Sequence, residues 1–158
     1  MAKTFSRLEC PTGPTFLSDG SIADTLASLR VVFLTNFIPA YRLPVLRALS
    51  SRVGVLKTLV STAMASNRSW TPDWRDLDVD VQRSISVRKV LQHPDGFEQE
   101  TFIHLPYDSL PKLAKLRPDV VISGELGLRT MQAVLYRMTV PRSRLIIYAD
   151  LSEQTERP

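Results

Sequence analysis

The chain is poor in the residues that build reactive centres. Its 158 residues include one cysteine, Cys10, and two histidines, His93 and His104. A single thiol closes no internal disulfide, and a zinc site needs several thiolate or imidazole ligands close together. A metal centre here would have to be built from carboxylates, and the cysteine usage points to a cytoplasmic setting. Glycine is also scarce, at 6 residues. None of them forms the Gly-x-Gly-x-x-Gly turn that lets a backbone approach a pyrophosphate, and no Gly-Lys-Ser/Thr or Gly-x-Ser-x-Gly element occurs. Long apolar runs are missing as well. The longest, Val31 to Leu34 and Leu145 to Tyr148, have strand length and fall far short of the ~20 residues of a membrane-spanning helix.

What is present is an ordinary globular composition, 44% hydrophobic and 23% charged, in a chain long enough for one domain. The charge balance is basic, with 20 Lys+Arg against 16 Asp+Glu for a net +4, and 15 of the 20 cations are arginine. The planar guanidinium fork suits phosphate and carboxylate groups, so anionic ligands or an anionic membrane surface fit as partners, as does a merely Arg-rich solvated surface. Specific nucleic-acid binding is not expected, because no aromatic-basic motif accompanies the charge.

Met1 to Ser28 carry Pro11, Pro14, Gly13 and Gly20 among scattered Ser and Thr, without a signal-peptide core or an Arg-rich transit pattern. They read as a disordered or weakly ordered leader, with a short helix over Ile22 to Leu29 left open. From Leu29 the pattern alternates. Leu29 to Thr35 is a near-continuous apolar run, followed by Leu43, Leu46, Leu49 and Val53 at helical spacing. Val55 to Val60 and Val79 to Ile85 read as strands separated by a polar stretch, Ser61 to Asp78. A helix is expected from Asp108 or Ser109, with Pro111 in its first turn and Pro118 as its stop. Asp119 to Ser123 is the next buried strand. The following helix is expected to present Leu128, Met131, Leu135 and Met138 as its apolar face and to end before Pro141, and Arg144 to Asp150 is the last strand. Strands too apolar for one-sided exposure, joined by helical crossovers, predict an α/β fold: an open, mostly parallel, Rossmann-like sheet with helices on both faces.

In such sheets ligands bind beyond the carboxyl ends of the strands, where strand order reverses. This selects Asn36 to Arg42, Gly124 to Gly127, and the region holding Asp150. Glu125 lies between a buried strand and a helix start. It could serve as a general base or bind a hydroxyl, or simply be a solvated carboxylate favoured by the helix dipole. Asp150 carries the same two readings. Arg42 could reach the crevice and bind phosphate or stay solvated. Trp70 and Trp74, with Arg68 and Arg75 near them, could stack on sugar rings or cover the sheet edge. His104, within Phe102 to Leu105, reads as a rim or core histidine.

The loop Asn36-Phe37-Ile38-Pro39-Ala40-Tyr41-Arg42-Leu43-Pro44 resembles the start of bacterial family 4 glycosyltransferases, where an Asn-x-x-x-Pro/Ala-Tyr-Arg-x-Pro element is frequent. Arg117 to Glu125, followed by a helix near Leu128-Arg129-Thr130, is similar to their fourth-strand region, and the resemblance covers Leu29 to Pro158. It implies residues 29–158 as the Rossmann-like N-terminal, acceptor-binding half of a GT-B enzyme that moves a sugar from a nucleotide-sugar to a hydroxyl acceptor, with no bound cofactor and no metal. The implied acceptor is a sugar or a lipid-linked sugar of envelope or polysaccharide biosynthesis, reached at the cytoplasmic side with peripheral contact to an anionic membrane. The implied site residues are Glu125, with Asp150 second, for catalysis, and Asn36, Tyr41, Arg42 and Gly124 for binding. The sequence departs from the family in lacking a Gly-Gly loop after the first strand and the C-terminal donor-binding domain, which would have to be supplied in cis or in trans. The chain alone is therefore expected to lack efficient turnover. The competing reading is a non-enzymatic flavodoxin-like binding or regulatory module, although Asn36 and Phe37 stand where a receiver-type module carries acids.

Overall fold

A computed structural model describes residues 19–64, 73–92, 98–124 and 126–148. Five strands form one parallel sheet: β1 (Arg30–Thr35), β2 (Val55–Val60), β3 (Asp78–Val81), β6 (Val120–Gly124) and β7 (Arg144–Tyr148), in the order β3-β2-β1-β6-β7. The α/β expectation holds. β1 lies at the centre because it is the most apolar strand: Val31 to Thr35 are all buried, and Leu34 is fully enclosed. A strand walled on both faces needs no polar alternation, which is why this run is continuous.

Odd and even positions feed two cores. Val31 and Phe33 pack with Leu56 and Val60 against Leu43 and Leu46 of α2 (Leu43–Ser50). Val32 and Leu34 pack with Leu59 and Val121 against Leu113 of α3 (Ser109–Leu116) and against Ala133 and Tyr136 of α4 (Leu128–Thr139). Each fully buried leucine contributes roughly 1.5–3 kcal/mol by leaving water. At the amino edge, Asp119 ties three strands together. Its carboxylate accepts from Arg30 N at 2.9 Å, its N–H donates to Arg30 O at 2.9 Å, and its carbonyl accepts from Arg144 N at 2.8 Å.

Three features depart from expectation. The run Val79 to Ile85 is not one strand: β3 ends at Val81, and β4 (Ser84–Gln92) pairs antiparallel with β5 (Glu98–Pro106) in a separate ribbon that leaves the carboxyl edge of the sheet. Gln82 and Arg83 interrupt the pattern between them. Gln82 is buried, and its Nε2 donates to Ser109 Oγ at 2.7 Å, so the chain turns there to satisfy an amide. Within the segment expected to be a leader, Asp19–Ser28 is a helix, α1, whose Leu26 carbonyl accepts from Gly54 N. Finally, α4 does not bury its apolar stripe. Met131, Leu135 and Met138 are 62%, 49% and 71% exposed, while Arg129, Thr130, Gln132, Ala133 and Tyr136 face the sheet. The reason is polar: Gln132 clamps two neighbours, accepting from Leu110 N at 3.0 Å and donating to Pro106 O at 2.6 Å, so rotating the stripe inward would strand those buried groups.

α3 ends where Arg117 adopts a left-handed conformation, φ 48° and ψ 56°, just before Pro118. A side chain with a Cβ is strained there, whereas glycine is not. Arg117→Gly is expected to raise stability by about 1 kcal/mol, read as a higher urea midpoint at unchanged slope. Leu34→Ala is expected to cost about 2–5 kcal/mol in the same measurement.

Candidate functional site

Strand order runs outward from β1 in both directions, to β2 and β3 on one side and to β6 and β7 on the other. The reversal lies between β1 and β6, whose last paired residues are Leu34 and Ser123. Loops leaving these two strands must diverge to opposite faces, which opens a crevice at their carboxyl ends. The two loops favoured by the sequence, Asn36 to Arg42 and Gly124 to Gly127, border that crevice.

The first loop is shaped by Pro39, which precedes a 3-10 turn over Ala40–Arg42. Arg42 folds back from this turn. Its Nη1 donates to Thr35 Oγ1 at 3.4 Å, and its guanidinium carbon lies 5.2 Å from the Tyr148 ring centre and 5.7 Å from that of Tyr41. Both distances are within cation–π range. Tyr41 itself is 74% exposed, leaving most of its ring open. On the second loop, Gly124 is buried beneath Tyr148: a Cβ there would meet the ring at 3.0–3.2 Å. Only a residue without a side chain lets the ring lie this close. Arg42 thus joins Thr35, Tyr41 and Tyr148, and Tyr148 in turn covers Gly124. Glu125 and Asp150 lie outside the described residues, as does Trp70. Trp74 packs on the core around α2, the covering role.

The residue that sequence reading passed over is Arg129. It sits in the first turn of α4 and is 5% exposed. Its Nη2 donates to Ser61 Oγ at 3.0 Å and reaches Asn36 Oδ1 at 3.4 Å, joining the carboxyl ends of β1 and β2 to α4. Beside it, Thr130 Oγ1 and Ser123 Oγ share a 2.7 Å hydrogen bond. Ser61 completes the ring: its N–H is shared between Thr35 O and Asn36 O, and its carbonyl accepts from Ser84 Oγ at 2.8 Å, which anchors the ribbon. The signal was available in the spacing. Arg129, Gln132, Ala133 and Tyr136 recur at helical intervals, but Leu128, Met131, Leu135 and Met138 recur more loudly and with the same period.

No protein-family model, curated protein or solved structure matches this chain. Among the described residues no group of three or more His, Cys, Asp or Glu could hold a metal ion, and no helix is long and apolar enough to cross a membrane. The groups that reach the surface here are the Tyr41 phenol, the Asn36 amide and the Arg42 guanidinium, above a floor of buried, mutually bonded hydroxyls and the Arg129 guanidinium, a set suited to a ligand with hydroxyls or an anionic group.

His104 faces Ser86 across the ribbon, with its Nδ1 2.8 Å from Ser86 Oγ. Burial holds its pKa below the ordinary 6.5, and the positive charge of Arg129 lowers it further. The unfolded chain binds a proton on this imidazole more readily than the folded chain does. Stability is therefore expected to fall as pH drops through 6.5 toward the folded value, and His104→Gln is expected to flatten urea midpoints across that window. Arg129→Gln is expected to raise the His104 pKa in an NMR titration and to cost about 1–3 kcal/mol, because Ser61 and Asn36 lose a buried charged donor.

Proposed function

We propose that this chain is the acceptor-binding half of a family 4-like glycosyltransferase of GT-B architecture. What supports the reading is that the two segments carrying the resemblance, Asn36 to Pro44 and Arg117 to Glu125, follow or include neighbouring strands in the middle of the parallel sheet, so that their ends share the crevice. Segments 81 residues apart in sequence, counted from Asn36 to Arg117, need not have met.

In this reading the acceptor enters over Tyr41, whose open ring offers a stacking face to a sugar. One of its hydroxyls bonds to the half-buried side-chain amide of Asn36. Arg42 pairs with an anionic group of the acceptor, such as the phosphate of a lipid-linked sugar, at the cytoplasmic face of a membrane. Glu125, between Gly124 and Leu126, is the assigned base and removes the proton from the acceptor hydroxyl. The acceptor oxygen then bonds to the anomeric carbon as the bond from that carbon to the nucleoside diphosphate breaks, and the diphosphate leaves with the electron pair. Stabilising that leaving group falls to a donor-binding domain acting in cis or in trans.

The test is release of nucleoside diphosphate across a panel of nucleotide-sugars and sugar acceptors, with the chain alone and combined with a donor-binding domain from a family 4 enzyme. Release is expected only from the combination, and Glu125→Gln is expected to cut it by about 10²–10⁴-fold. Arg42→Ala is expected to weaken acceptor binding about tenfold, a loss near 1.4 kcal/mol, read by ligand-observed NMR. Absence of both release and acceptor binding across the panel defeats the reading.

A further inference from the structure

The outward stripe of α4 does not stand alone. Met131 and Leu135 continue onto Leu126, 74% exposed, and Ile147, 43% exposed, and these side chains with Val134 line an open apolar trough of about 520 Å³, while Met138, 71% exposed, extends the stripe along the helix. The trough runs along β7, the edge strand of the sheet among the described residues, whose opposite face is bare at Ile146, 51% exposed. An edge strand holds half of its backbone N–H and C=O groups away from its neighbour, ready to pair.

The two sheet edges are built differently. β3 reads Asp78-Val79-Asp80-Val81, and its acids are held in ion pairs by Lys57 and Lys112. Charge on an edge is the usual protection against pairing. β7 reads Arg144-Leu145-Ile146-Ile147-Tyr148 and carries no acid. Apolar side chains on both faces of an edge strand, extended by an apolar helix face, make a surface built to be covered.

We propose that this edge joins two copies of the chain about a two-fold axis, β7 pairing antiparallel with the partner's β7 and the two α4 helices lying side by side over the continuous sheet. The cover must offer backbone hydrogen bonds, which a lipid surface cannot do. β7 complements itself. Centred on Ile146, antiparallel pairing sets Ile146 opposite the partner's Ile146, Leu145 opposite the partner's Ile147, and Arg144 opposite the partner's Tyr148, with no like charges opposed. A strand of five residues and a helix of twelve give a face about 18 Å long. With one sheet layer and one helix layer about 20 Å across, roughly 700 Å² leaves water over both copies, the size of a weak, reversible interface. The two crevices then open at opposite ends of a ten-stranded sheet, so pairing leaves both accessible.

Sedimentation of the full chain is expected to give twice the 17.8 kDa of one copy at concentrations up to about 100 µM. Ile146→Lys and Met138→Asp, at exposed positions on the strand and on the helix, are each expected to raise the dimer Kd at least about tenfold, with circular dichroism unchanged. Asp78→Ala, on the other edge, is expected to leave it as it was. In a Cys10→Ser background, Ile146→Cys is expected to form a disulfide-linked dimer under mild oxidation, and Val45→Cys, on the exposed side of α2, is not. A wild-type monomer at about 100 µM overturns the proposal, and so does a dimer whose affinity neither Ile146→Lys nor Met138→Asp changes.

Discussion

The orientation of α4 is the constraint on which the rest of the molecule turns. A helix with a strong apolar stripe would ordinarily lay that stripe on the sheet. Here the inward face carries Arg129, Thr130 and Gln132, each bonded to a different part of the fold. Arg129 holds the carboxyl ends of β1 and β2, Thr130 meets Ser123 of β6, and Gln132 fixes the end of β5 to the first turn of α3. Rotating α4 by half a turn would bury methionine and leucine, yet it would strand the inward partners of Arg129 and Gln132: Ser61 Oγ, Leu110 N–H and Pro106 C=O. Burying an uncompensated polar or charged group costs more than an exposed apolar side chain forfeits.

That one choice has two consequences. On the inside, it builds a polar floor under the crevice, so the switch point between β1 and β6 offers guanidinium, amide and hydroxyl groups where an apolar helix start would have offered none. On the outside, it leaves the apolar stripe next to an apolar edge strand. The crevice and the bare edge are therefore two sides of the same helix. A ligand on one side and a partner on the other would both act on α4, whose first turn carries Arg129 and whose outer face carries Met131 and Leu135.

Much of the framework was legible from the chain. The continuous run Val31 to Thr35 announced a strand buried on both faces, Pro118 marked the end of α3, and the alternation of strands with helical segments implied a parallel sheet with its binding loops at one edge. These features were legible because each rests on local chemistry: β-branched residues in a walled strand, or proline against helical geometry. The loops at the switch point were also legible, since which segments follow strands can be read along the chain. The ribbon β4–β5 was missed because Val79, Val81 and Ile85 share one parity on either side of the interruption at Gln82 and Arg83, although the chain changes sheets there. Arg129 was missed because two helical stripes of the same period coexist in α4, and hydrophobicity singles out the outer one.

The amino-acid sequence by itself determined the fold class, the strand and helix segments of the parallel core, and the loops that border the crevice. Each of these follows from periodicity and local backbone preference, which are written along the chain. Only the tertiary structure decided which face of α4 turns inward, that Val79 to Ile85 serves two sheets, and that Arg129 lies beneath the segments that follow β1 and β2. Those outcomes depend on where distant donors and acceptors come to rest: Ser61, Asn36, Pro106 and Leu110 are separated from their partners on α4 by 22 or more residues, the nearest pair being Leu110 and Gln132. A buried polar group is satisfied or orphaned by such neighbours alone, so its preference for the interior cannot be read before the chain has folded around it.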